Sequence, residues 1–199
     1  YFRALGARVI ASSAAVADQR ARASAQLSAL YQLVGAQGMA GTEPTHADET
    51  FEDELTFTLG GTRFELRRVG PAHTPGDTLV WLPAERVVFS GDVVYVGRML
   101  GVIAYSNSGN WIEAFEAMAA LAPATIVPGH GPATDLARSR ADTFDYLVFL
   151  RETVGAFMDE GGDISQIGSL DQSRFSYLED YESLKGRNAQ QVFQQMEWE

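Results

Sequence analysis

Three short segments of this 199-residue chain carry side chains of the kinds that bind metal ions. They are Ala72-His73-Thr74-Pro75-Gly76-Asp77, Phe89-Ser90-Gly91-Asp92 and Val127-Pro128-Gly129-His130-Gly131-Pro132. Glycine or proline stands near each candidate ligand, so the backbone can turn sharply and point an imidazole or a carboxylate into one cleft. The chain has no cysteine, so a metal must be bound through nitrogen and oxygen. The pattern predicts that His73, Asp92 and His130 are metal ligands.

Structural interpretations compete with the chemical ones at several positions. Asp92 taken by itself fits a turn residue after Gly91, and only its combination with the two histidines favours a ligand. We predict that Asp77 is a structural acceptor for the amides of its own loop, and that His46 is a solvated loop residue. The loop after Asp92 holds three residues for which substrate contact and surface packing are equally good explanations: Tyr95, Arg98 and Tyr105.

All three segments follow predicted strands, which is where binding sites are built on layered scaffolds of helices and sheets. The strand signals are a hairpin over 55–59 and 62–67 with a Gly60-Gly61 turn, two buried strands over 78–82 and 86–89, and a last strand over 124–127. A short strand over 8–11 and a long loop over 93–109 complete this part.

Helices are predicted on both sides of these strands. The first follows an N-cap at Ser12 or Ser13, runs over 14–34 and ends at Gly35 and Gly38. The second carries an apolar stripe that includes Trp111 and Phe115. Its successors cover 134–158, 175–185 and 188–198. The first helix carries four apolar residues on one face at helical spacing: Leu27, Leu30, Tyr31 and Val34.

The length suits a single domain over 1–199, of which 134–199 is a C-terminal helical part. With 46% hydrophobic residues and no apolar run of membrane-spanning length, the sequence predicts a soluble protein. A formal charge of −11 argues against nucleic acid and against an anionic membrane surface as partners. We therefore expect a small-molecule substrate.

The order A-H-T-x-G-D, F-S-G-D and P-G-H-G resembles the metallo-β-lactamase superfamily, over the whole chain. A closer likeness, to glyoxalase-II-like metallohydrolases, rests on the segments 97–101 and 186–190. The resemblance implies an α/β (α+β) fold, the αββα sandwich, with the cleft at one edge of two sheets. It also implies that His73 binds one metal, His130 a second, and that Asp92 bridges both and is the catalytic carboxylate.

The family pattern includes an earlier H-x-H-x-D-H loop, which these 199 residues do not contain. We therefore expect that the chain lacks its front and represents a partial sandwich. Three ligands spread over two sites predict weak zinc binding, because a catalytic zinc normally has three protein ligands and a water. An exposed sheet edge can pair with a second copy of the chain, so self-association into a homo-oligomer is an open alternative.

The resemblance implies a hydrolase with two zinc ions, although iron or manganese also fits the ligands. Such ions would lower the pKa of a water that attacks a thioester, ester, lactone or lactam. Two alternatives stay open, a mononuclear iron enzyme similar to persulfide dioxygenases and a non-catalytic partner protein with the same fold. The closer relatives suggest a periplasmic location, but the residues themselves leave periplasm or cytoplasm undecided.

Overall fold

The computed structural model describes residues 1–199, which form seven strands and five α-helices. The strands are β1 (Ile10–Ser12), β2 (Glu49–Phe51), β3 (Glu54–Leu59), β4 (Thr62–Arg68), β5 (Thr78–Leu82), β6 (Val87–Tyr95) and β7 (Thr125–His130). The helices are α1 (Ser13–Met39), α2 (Ser108–Ala119), α3 (Leu136–Ser139), α4 (Asp145–Asp159) and α5 (Tyr181–Met196). None of them is long and apolar enough to pass through a lipid bilayer.

Two sheets organise the strands, which confirms the predicted mixed fold of helices and strands. The larger has five strands in the order β3-β4-β5-β6-β7, and the smaller pairs β1 with β2 in parallel. Neighbouring strands from β3 to β6 are antiparallel, whereas β6 and β7 are parallel. The connection from β6 to β7 runs through α2, as a parallel pair requires.

The core is a cluster of 27 buried residues that runs in sequence from Ala72 to Phe193. The predicted stripe of α2 supplies three of them, Trp111, Phe115 and Met118, all fully buried. Helices α4 and α5 pack against each other, and α2 packs against α4 and β6. The sheet that carries the candidate ligands is therefore backed by the best-packed part of the molecule.

Helix α1 differs from its prediction in length. Ser12 is the N-cap, and its side chain accepts a hydrogen bond from the amide of Ala15, as expected. The helix continues to Met39, however, through a kink at Gly35, where φ is 68°. Its main contacts are with β1 and β2, and Leu30, Tyr31 and Val34 of its apolar face are exposed. Val16 is its one buried residue, and Tyr31 is 49% exposed.

The predicted hairpin is confirmed as β3 and β4, with positive φ at both Gly60 and Gly61. Strand β6 is longer than predicted, because it passes Gly91 (φ 52°) with an irregular register and continues to Tyr95. A positive φ is open to glycine at little cost, so Gly91 lets the strand bend without ending. The three-residue strand β2 was not predicted.

The C-terminal helices also differ from the prediction. The helix expected over 134–158 is capped by Asp135, but a π-helical segment at Arg140–Phe144 separates α3 from α4. The separate helices expected over 175–185 and 188–198 are wrong. A 3-10 turn at Ser173–Phe175 and the single helix α5 replace them, because Gly186 sits inside α5 without breaking it.

Candidate metal centre

The topology brings the three predicted ligands to one edge of the larger sheet. Strand β7 is parallel to β6, so His130 at its end lies near the final residues of β6, and Tyr95 pairs with His130. Strand β5 is antiparallel to β6, so the loop before β5, which holds His73, reaches the same edge. Asp92 lies on β6 between the two histidines.

The geometry places the two histidines on opposite oxygens of one carboxylate. His73 Nε2 is 3.7 Å from Asp92 Oδ2, and His130 Nε2 is 3.7 Å from Asp92 Oδ1. The His73 side chain is 15% exposed, against 36% for Asp92 and 40% for His130. The group therefore has a buried wall at His73 and an open side at His130, through which a small molecule can enter.

The arrangement is that of two half-sites sharing a carboxylate. No group of three or more His, Asp or Glu side chains is arranged around a single point that could hold a metal ion. His73 with Asp92, and His130 with Asp92, each offer two donors to a cation. Imidazole nitrogen and carboxylate oxygen suit zinc, iron and manganese. The Nδ1 atom of His73 is buried and has no hydrogen-bond partner, so Nε2 is the ring nitrogen that faces the shared carboxylate.

Backbone and side-chain contacts fix the loop that carries His73. Asp77 accepts hydrogen bonds from the Thr74 amide (2.9 Å) and the Thr74 hydroxyl (2.5 Å), which confirms its predicted structural role. Ser106 donates its hydroxyl to the carbonyl of His73. The ring of Trp111 meets the His73 ring edge-on, with centroids 5.3 Å apart. The His73 imidazole is thus fixed by the hydrogen bonds of its loop and by contact with the Trp111 ring.

Asp92 is held by close approach of the β7 backbone. A Cβ atom at Gly129 would collide with Asp92 Oδ1 and lie only 2.8 Å from the Asp92 amide nitrogen. The proline-glycine-histidine segment therefore needs glycine at this position, because any side chain would displace the carboxylate. The glycine of the Pro128-Gly129-His130 motif is therefore explained by the close contact of this backbone with Asp92.

Tyr95, for which sequence reasoning left substrate contact and packing equally open, lies beside the candidate ligands. It is buried, and its ring stacks on His130 with centroids 4.6 Å apart and an interplanar angle of 22°. The His73 ring lies 5.9 Å away on another side. Burial and the neighbouring Asp92 carboxylate raise the pKa of the Tyr95 phenol above its usual range, so it stays protonated at neutral pH. Its position three residues after Asp92 was the available signal.

The other candidates lie elsewhere. His46 is beside α1, with Nδ1 3.5 Å from Gln19 Oε1, and it forms no ion pair with Asp92. Arg98 pairs with Asp180 at 2.8 Å, and the ring of Tyr105 lies under the guanidinium of Arg22. Arg98 thus forms an ion pair and Tyr105 a cation–π contact with other parts of the chain.

The sequence profile of the metallo-beta-lactamase superfamily matches residues 7–130. The chain belongs to that superfamily. A "2,4-dinitroanisole O-demethylase subunit alpha" from Nocardioides sp. (strain JS1661) is 30% identical over 78 residues, 39% of this chain and 24% of that protein. The "Metallo-beta-lactamase type 2" of Bacteroides fragilis is 29% identical over 85 residues, 41% of this chain and 34% of that protein. The matches thus span a quarter to a third of these relatives.

Solved structures of superfamily proteins share the fold. A metallo-beta-lactamase family protein from Thermus thermophilus aligns over 98% of this chain and 69% of its own, with a TM-score of 0.61 and 18% identity. The sec-alkylsulfatase Pisa1 from Pseudomonas sp. aligns over 96% of this chain and 37% of its own (TM-score 0.67, 17% identity). A metallo-beta-lactamase from Pontibacter korlensis aligns over 73% and 60% (TM-score 0.54, 23% identity).

Proposed function

We propose that the chain carries three of the ligands of a metal-dependent hydrolase centre, His73, Asp92 and His130, with zinc as its metal. One observation carries the proposal: the Nε2 atoms of His73 and His130 face opposite oxygens of the same Asp92 carboxylate. A carboxylate that only formed a turn would have no reason to stand between two imidazoles at equal distances. The superfamily membership supports metal-dependent hydrolysis in general.

Each residue has a distinct role in this proposal. His73 and Asp92 would hold one ion, and His130 and Asp92 the other. When bound, the ions supply a Lewis acid and a water of lowered pKa. Asp92 would also accept a hydrogen bond from the attacking water and so fix its direction toward the substrate. The Tyr95 ring and the Trp111 ring exclude solvent from the inner side of the site.

The substrate class follows from the chemistry of attack by an activated water. Thioesters, esters, lactones and lactams all present an electrophilic carbonyl carbon, and the site is exposed at His130 to admit one. Each half-site offers two of the three protein ligands typical of a catalytic zinc, so the further ligands of a complete centre must come from other residues. We therefore expect the 199 residues to bind zinc less tightly than a complete centre.

The histidines provide a direct test, because the chain has three and only two belong to the site. Zinc is titrated into chain labelled with ¹⁵N in its histidine rings, and NMR follows each ring. We expect zinc to shift His73 and His130 but leave His46 unchanged. Asp92→Asn should weaken binding at least about tenfold, and His46→Ala should not. Equal responses of all three rings would sink the proposal.

A second measurement addresses catalysis and the alternatives. Hydrolysis of an ester, a thioester, a lactone and a lactam is assayed with excess zinc, using Asp92→Asn as the inactive control and His46→Ala as the active one. Because the centre is incomplete, we expect at most slow cleavage of one class, and its loss in Asp92→Asn. Tighter binding of Fe²⁺ than Zn²⁺ would instead favour the mononuclear iron enzyme. Absence of zinc uptake together with absence of cleavage would favour a non-catalytic protein.

A further inference from the structure

The π-helical segment between α3 and α4 places two buried polar side chains against the end of β6. In a π-helix the hydrogen bonds skip one residue more than in an α-helix, and here the amide of Asp145 donates to the carbonyl of Arg140. The extra residue turns Asp142 and Thr143 toward the sheet. Both are fully buried, which is costly for polar groups unless they are hydrogen-bonded.

Thr143 is bonded to the backbone of Tyr95 in both directions. Its hydroxyl donates to the Tyr95 carbonyl at 2.7 Å and accepts from the Tyr95 amide at 3.0 Å. A single side chain thus takes the place of a neighbouring strand for this residue. The backbone at Tyr95 cannot rotate without breaking both bonds.

Asp142 holds Gly97, two residues after Tyr95, through the backbone amide of that glycine. Its Oδ2 accepts from the amide of Gly97 at 2.8 Å and from Arg138 Nε at 2.7 Å, and its Oδ1 accepts from the Tyr177 hydroxyl at 2.9 Å. Three donors, one of them a guanidinium, compensate a buried carboxylate for the loss of water. The Asp142 carboxylate therefore has the hydrogen-bond partners that a buried structural residue requires.

The opposite side of the same stretch is fixed to the candidate metal centre. The amide of Val96 donates to the carbonyl of His130 at 2.9 Å, between the two residues held by Asp142 and Thr143. At Gly131, φ is 100° and an added Cβ would collide with the Val96 carbonyl oxygen. The segment 95–97 is therefore clamped between the π-helical segment and the histidine loop.

We propose that Asp142 and Thr143 are positioning residues that hold the Tyr95 ring flat against His130 and so direct His130 Nε2 toward Asp92. We call Asp142 and Thr143, with the segment 95–97 that they hold, the clamp. The clamp reaches the site through the stacking of Tyr95 on His130. Outer contacts of this kind commonly change metal affinity by about 10–100-fold when they are removed. The significance of the clamp for catalysis rests on the proposed function, but its effect on the His130 ring does not.

The first test uses the zinc-free chain and the ring current of Tyr95 as a reporter. Thr143→Val keeps the shape of the side chain and removes both hydrogen bonds. We expect the His130 ring signals to shift, with those of His46 unchanged, and Thr143→Ser to restore the wild-type positions. Thr153→Val, on α4 and without a side-chain hydrogen bond, is the matched control. Unchanged His130 signals in a folded Thr143→Val chain would overturn the inference.

A second pair of variants decides the matter if Thr143→Val does not fold. Tyr95→Leu removes the ring, whereas Tyr95→Phe keeps it and removes only the hydroxyl. We expect zinc to bind at least about tenfold more weakly to Tyr95→Leu, with Tyr95→Phe close to wild type. Equal zinc dissociation constants in all three proteins would contradict a role for the ring. Failure of zinc to bind the wild type counts against the proposed function and leaves the zinc-free test of the clamp intact.

Discussion

The first 51 residues and the remainder of the chain are built to different standards of packing. Ser12, Val16 and Phe51 are the buried residues of the first part, whereas the cluster of 27 buried residues begins at Ala72. All three candidate ligands lie in the second part. The site is therefore positioned by a core to which α1 contributes almost nothing. The first part of the chain is attached to that core at a few contacts.

The largest predicted effect sharpens this contrast by removing one large side chain from each part. Phe115 is fully buried in α2, and Leu33 on α1 is 82% exposed. We expect Phe115→Ala to lower the free energy of unfolding by about 3–5 kcal/mol through a lost contact surface and a cavity. Leu33→Ala should change it by less than about 0.5 kcal/mol. Urea denaturation measures both free energies of unfolding. Comparable losses would show that α1 is packed as well as the core.

The next effect concerns the site itself, with one glycine inside it and one outside. Gly129→Ala places a methyl group against the Asp92 carboxylate, whereas nothing lies within 4 Å of a Cβ at Gly101. We expect Gly129→Ala to weaken zinc binding by about 10–100-fold and Gly101→Ala to leave it unchanged. Calorimetric titration with zinc distinguishes them. An unaffected Gly129→Ala chain would show that Asp92 does not hold the metal.

A smaller effect tests how the first part is attached. Ser12 caps α1 and also donates its hydroxyl to the carbonyl of Gly76, in the loop that holds His73. We expect Ser12→Ala to cost about 1–2 kcal/mol, loosening the first turn of α1 without unfolding the core. Hydrogen exchange of the α1 amides measures this locally. The control is Ser28→Ala, an exposed position on the same helix, where exchange should not increase.

The smallest effect is a pH dependence at the clamp. Partial burial and the Asp142 carboxylate raise the pKa of Tyr177 to about 12, above that of the same phenol in the unfolded chain. The stability contributed by the protonated phenol is therefore complete below about pH 10 and lost as the pH rises through 12. Tyr177→Phe should lose stability less steeply over that interval. Urea denaturation at pH 8, 10 and 11 compares the two slopes.

Much of the site could be predicted from short-range sequence signals. Glycine and proline beside His73, Asp92 and His130 mark sharp turns, and the structure uses Gly129 for close approach to Asp92. Hairpin chemistry at Gly60 and Gly61 likewise located β3 and β4. These features depend on residues near one another in the chain, where propensity and turn geometry act directly.

The rest depends on contacts that a single sequence does not encode locally. The apolar spacing of α1 places four residues on one face, but whether that face is buried depends on another element packing over it. The π-helical segment has no composition signal, because the bonds of Thr143 to Tyr95 span 48 residues. Whether Tyr95 lies against the site was left undecided for the same reason. Its stacking on His130 depends on the pairing of β6 with β7.

The parallel pairing of β6 and β7 has a consequence for how such a site can vary. Asp92 and His130 sit on adjacent strands, whose separation is fixed by a ladder of backbone hydrogen bonds at roughly 4.8 Å. The position of His130 relative to Asp92 is therefore set by the pairing of β6 with β7, whereas His73 is placed by the loop before β5. In the connection from β6 to α2, variation is confined to the exposed tip at Ala104 and Tyr105, because Met99, Leu100 and Val102 are buried in the core and Ser106 holds the His73 loop.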